Sequence, residues 1–186
     1  MSKLPLQCSR MAAVAGEYCA LIDNGISHFA TNDVGWLSQL GKILPRLHVA
    51  VAALYTPSSD GHIYRFYDDE KRCEMFLMLN AMLQCDSSLW SAYKDSSVDL
   101  YRQRLLCERM ADNLADMYFD LKRGLELLQN DPVAAAENWQ HSFYVHWGKH
   151  LLDAECWLRA VECGSEPAYL PEWRWPNMQD MMVFAD

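Results

Sequence analysis

Apolar residues recur along this chain at intervals of three and four, the spacing of one helical face, and sustained strand-like alternation is nearly absent. The pattern predicts helices over about residues 7–29, 34–54, 68–83, 98–129 and 132–163. Asn32 or Asp33 is placed to cap the second of these, and Pro45 inside it predicts a kink or break. Asn130 or Asp131 is placed to cap the fifth, with Pro132 at its first helical position and Gly164 just past its end. The connection between the last two helices is short, so they should be antiparallel neighbours. YTPSSDGHIY reads as a loop with turn chemistry, and CDSSLWSAYKDSS as a short irregular piece. The fold class that follows is all-α: an up-and-down bundle of about five helices over residues 1–164. A short aromatic- and Met-rich extension over 165–186 packs on the bundle or on a partner. Met110, Leu114, Met117, Leu121, Leu125 and Leu128 form the expected core stripe of the fourth helix.

Composition agrees with one globular domain. Hydrophobic residues make up 51% and charged residues 22% of the 186 positions, enough for a real core. No apolar run approaches the roughly 20 residues that span a bilayer. Glu17 and Asp23 interrupt the apolar N-terminal stretch where a leader would need continuity. The expectation is a cytoplasmic protein that does not engage membranes. A net charge of −9 removes the basic footprint that a general phosphate-backbone binder needs, so nucleic acid is not an expected partner. The seven cysteines form no CxxC pair and are odd in number. They read as reduced, mostly buried small hydrophobes, not as a disulfide framework or zinc ribbon.

Candidate chemistry concentrates in HSFYVHWGKH, residues 141–150. His146 and His150 are four apart, so a helix puts both imidazoles on one side, a turn apart. On a helical wheel Trp139, Phe143, Trp147, Leu151, Ala154 and Leu158 share an apolar face. His150 falls inside that face and His146 at its edge beside Asp153, while His141 points to the opposite, more polar side. Two imidazoles so spaced can share a metal ion, given further ligands. The fourth helix offers Asp112, Asp116 and Asp120, each four apart. Like charges at that spacing repel by a few tenths of a kcal/mol per pair, a cost that a bound cation removes. Facing helices that feed carboxylates and histidines into a bundle hold iron or manganese in this way, although no ExxH motif is present. The opposing reading is a solvated face. Asp116 lies nearly opposite the apolar stripe, and Arg109 and Arg123 are spaced to pair with Asp112 and Asp120. His146 and His150 would then be hydrogen-bonded residues of the core, and this structural reading is the preferred one.

LADMYFDLKRGLELL (114–128) followed by NWQHSFYVHWGKHLLDAECWLRA (138–160) resembles an uncharacterised bacterial family, domain of unknown function 5063. The matching positions include Asp116, Asp120, Lys122, Gly124, Trp139, Phe143, His146, Trp147, Gly148 and His150. LPRL at 44–47 also fits, and the likeness spans about residues 10–162. The resemblance implies a compact helical domain and groups Asp116, Asp120, His146 and His150 as one motif set, without supplying an activity. Gly124 and Gly148 then fit close helix–helix approach.

Two functions remain open. The first, favoured by the acidic composition and the absence of GxSxG, P-loop or GxGxxG patterns, is a non-enzymatic protein-interaction or regulatory module with a protein partner or a second copy of itself. It requires no cofactor. The alternative is a metal-binding protein or metal-dependent enzyme holding iron, manganese or zinc on Asp116, Asp120, His146 and His150.

Overall fold

The computed structural model describes residues 6–27, 35–54, 68–85 and 100–163. The expected caps at Asn32 and Asp33, both expected irregular segments (apart from Cys85) and the 165–186 extension lie outside them. The described residues form α1 (Leu6–Ser27), α2 (Trp36–Ala52), α3 (Asp69–Cys85), α4 (Leu100–Leu128), α5 (Pro132–Ser142) and α6 (Gly148–Glu162). A π-helical turn, Phe143–Trp147, joins α5 to α6, so 132–162 is one continuous rod. This is the expected all-α bundle of five rods.

α4 is the hub and packs on α1, α3, α5 and α6. Met110, Leu114, Met117 and Leu121 are fully enclosed, while Leu125 and Leu128 are only partly covered near its end. Asp131 begins the fifth rod as expected: its Oδ1 accepts from the backbone N–H of Val133 and Ala134 at 3.0 and 3.1 Å. Pro45 neither breaks nor ends α2, which runs on to Ala52. Buried Leu40, Ile43, Leu44 and Leu47 carry the helix through it, because packing of an apolar face outweighs one lost backbone bond.

Buried aromatic donors stitch the bundle together. Tyr18 Oη donates to the Leu114 carbonyl at 2.8 Å, Trp36 Nε1 to that of Leu21 at 3.0 Å, and Trp139 Nε1 to that of Leu121 at 3.1 Å. Each helical carbonyl has a second lone pair to accept such a bond. The Trp139 indole lies on Gly124, where a Cβ would stand 2.0 Å from Nε1. Here glycine serves close approach between rods, as expected.

The expectation that the cysteines are mostly buried is corrected. Cys8, Cys19 and Cys107 are buried, but Cys73, Cys85, Cys156 and Cys163 are exposed, because they fall on the outer faces of α3 and of the fifth rod. All seven are free. Among the described residues no helix is long and apolar enough to cross a membrane.

Candidate functional site

The expected solvated aspartate face is largely covered, with only Asp112 of the three still well exposed. Asp116 and Asp120 are each only 7% exposed. A wheel computed from α4's own apolar stripe assumes one buried side, whereas α4 is covered by α3 on one flank and by the fifth rod on another. Arg109 does not pair with Asp112. It reaches across to Asp153, with Nε 2.5 Å from Oδ2, and Asp112 is taken by Arg72 of α3. Asp120 meets His146, and Arg123 meets Glu126.

The two histidines are presented by the π turn. Its signature is the Gly148 N–H bonded to the carbonyl of Phe143, five residues back. One residue more than an α turn requires rotates everything C-terminal to it by about 100°. Trp147, Leu151, Ala154 and Leu158 of the expected apolar face nevertheless stay buried beyond it, and short π segments recur at functional sites. Trp147 anchors the widened turn: its buried Nε1–H reaches Ser142 Oγ at 3.0 Å and the Trp139 carbonyl at 3.3 Å. Its ring also meets Phe143 edge-on at 4.8 Å between centroids. Gly148 does not serve contact between rods, as expected from the sequence, but contact within one. A Cβ there would stand 2.5 Å from the Phe143 carbonyl oxygen.

Hydrogen bonding fixes which nitrogen each imidazole offers inward. His146 Nδ1 lies 2.6 Å from Asp120 Oδ2, an acceptor, so Nδ1 carries the proton. His150 Nδ1 lies 2.8 Å from Asn113 Oδ1. The Asn113 amide is oriented by its own donation to Asp153 Oδ2 at 2.7 Å, and Asp153 is held in turn by Arg109. The chain Arg109–Asp153–Asn113 thus presents an oxygen to His150 and leaves Nε2 as the bare nitrogen. That Nε2 is buried without a hydrogen-bond partner. It sits 3.3 Å from Asp116 Oδ2, but off the line of a hydrogen bond.

Asp116, His146 and His150 each offer one ligand atom, all within 4.8 Å of one another. The imidazoles meet edge-on, 5.0 Å between centroids. Metal–ligand bonds of about 2.0–2.2 Å place neighbouring ligand atoms roughly 3–3.5 Å apart, so the trio needs to contract by on the order of 1 Å. Protonation states also fit. Burial, reinforced by His146 and Lys149, pushes His150 down to about 4 despite the opposing pull of Asp116, so its imidazole is neutral near pH 7. Burial alone would raise the Asp116 carboxyl; the Arg72 hydrogen bonds and the charges around it more than offset this and hold it below the usual range. An ionised carboxylate with imidazole nitrogens is a donor set that first-row divalent metals take.

Of the expected set, Asp116, His146 and His150 converge, Asp120 stands behind His146 as its hydrogen-bond partner, and Asp112 lies to one side on Arg72. His141 takes no part. Sequence reading missed Arg72, whose approach from α3 no local pattern announces. It also missed Asn113, which lies three residues before Asp116 on the same helical side.

Comparison with known proteins adds one match. The sequence pattern described as "Domain of unknown function (DUF5063)" covers residues 3–163. No curated protein matches, and neither does any solved structure.

Proposed function

The chain belongs to the family described as domain of unknown function 5063, and we propose that it binds one divalent first-row transition-metal ion through Asp116, His146 and His150. The observation that carries this is His150 Nε2: a bare nitrogen enclosed in the bundle, beside an ionised carboxylate, with its proton-bearing face already committed to Asn113. A buried polar atom without a partner costs on the order of 1–3 kcal/mol, a cost that ligation removes. Two histidines and one carboxylate occupy three positions and leave the others open, the arrangement of non-haem iron sites. Such a metal supplies Lewis acidity or an activated water. The chain's own part is to hold the three donors and, through Asp120 and Asn113, to fix the orientation of both rings.

The test is elemental analysis of protein purified without a nickel column. About one equivalent of iron, manganese or zinc per chain is expected, absent from a folded His146→Ala/His150→Ala variant. Metal-free native protein that also takes up none of the three on dialysis ends this reading.

A second reading, a protein-interaction or regulatory module, draws on a largely apolar groove between α2 and α6. It is lined by Leu44, Pro45, Val49, Ala52 and Leu158, and Val49 is 71% exposed. Mass in solution with and without residues 165–186 tests it; an unchanged monomer in both speaks against it.

A further inference from the structure

The Asp116 carboxylate already holds a cation. Arg72, on the first turn of α3, bonds it with both prongs of its fork: Nε to Oδ1 at 2.7 Å and Nη2 to Oδ2 at 2.9 Å. The Oδ2 atom it caps is the one that stands 3.3 Å from His150 Nε2. The same Nη2 lies 2.5 Å from Asp112 Oδ1, and Asp112 is well exposed, its side chain at 41%. Arg72 therefore sits between an inner and an outer carboxylate. A dication at the trio would stand a few ångströms from the guanidinium, competing for one oxygen and repelling it in a poorly screened setting. The two cations must weaken each other's hold, and by linkage the effect runs equally in both directions.

What Arg72 holds in place is α3. Only Leu79 and Leu83 of that helix are fully buried, both in its second half. The first half carries partly buried Met75 and Phe76 and exposed Leu77. The first half is thus held to the bundle by Met75 and Phe76 packed on the core together with the Arg72 ion pairs.

On the metal-binding reading above, we propose that Arg72 is the placeholder for the metal, and that loading shifts it from Asp116 to Asp112 and loosens the first half of α3 from α4. The site would then be a metal-responsive switch whose output is the apolar underside of α3.

The test uses the full chain and Co(II) alone, read by its visible absorption bands, with hydrogen exchange of residues 70–76. Arg72→Gln should bind Co(II) at least about tenfold tighter than the unaltered chain, within the usual range of coupling between sites. Arg72→Lys keeps the charge without the fork and should fall between. Asp112→Asn deprives Arg72 of its outer partner and should bind more weakly. Exchange over 70–76 should rise on loading the unaltered chain and be raised already in metal-free Arg72→Gln. Equal or weaker binding by folded Arg72→Gln and Arg72→Lys, or unchanged exchange on loading, overturns the switch and leaves the metal reading intact. If no form takes up Co(II), both fall.

Discussion

His146 Nδ1 lies 2.6 Å from Asp120 Oδ2, and the contact joins two adjacent arms of the bundle through a pair of side chains that are both largely enclosed. It decides the chemistry of the ring. With the outer nitrogen committed to a carboxylate, the basicity of the imidazole is directed to the inner one.

Removing that carboxylate should weaken the site without removing a ligand. Asp120→Ala should lose about 10–100-fold in metal affinity, and Asp120→Asn less, because an amide oxygen still accepts the Nδ1 proton. Competition titration against a chromophoric chelator reads both. Undiminished affinity in Asp120→Ala would show that the contact is only structural.

Gly124 and Gly148, both tightly packed, should behave differently. Gly124→Ala forces a methyl into the Trp139 indole and should cost about 1–3 kcal/mol of stability while sparing metal affinity. Gly148→Ala meets the Phe143 carbonyl, unwinds the π turn and should cost both stability and affinity. Urea unfolding beside the same competition titration separates them.

Thiol labelling in the native state should stop at four. Cys73, Cys85, Cys156 and Cys163 are exposed and should react, while Cys8, Cys19 and Cys107 should react only after unfolding. Mass spectrometry of the labelled protein counts the adducts and locates them.

Alkali should destabilise the bundle through two of those buried thiols. Burial pushes Cys19 and Cys107 each up to about 12. Unfolded thiols ionise near pH 8.5, so each group is fully stabilising below that pH, and its contribution is lost as pH rises toward 12. Between about pH 8 and about pH 10 the loss is on the order of 2 kcal/mol per thiol. Cys19→Val/Cys107→Val should flatten that decline in urea midpoints; an identical decline would assign it to other groups.

The rods were legible in the sequence because period, cap and proline agree at the same places, as at Asp131 and Pro132. The donor residues were legible too, since His146, His150, Asp116 and Asp120 each stand at helical spacing from another. What was not legible is which side of α4 faces water. A wheel knows only the helix's own apolar stripe, and the second covered flank of α4 is made by a polar network supplied largely by other helices. Arg72 lies 44 residues from Asp116 along the chain, and nothing in EKRCEM marks its target. The π turn was hidden because FYVHW suits an α-helix equally well; only Gly148, a poor helix former in that context, hinted at an altered backbone.

All of the donors and their supporting partners except Arg72 lie between Arg109 and Asp153, on the two strokes of a single helical hairpin closed by the short turn before Pro132. The bonds that build the pocket reach across 26 to 44 residues, all bridged by that one turn, so the two rods must pair before any of its donors meet.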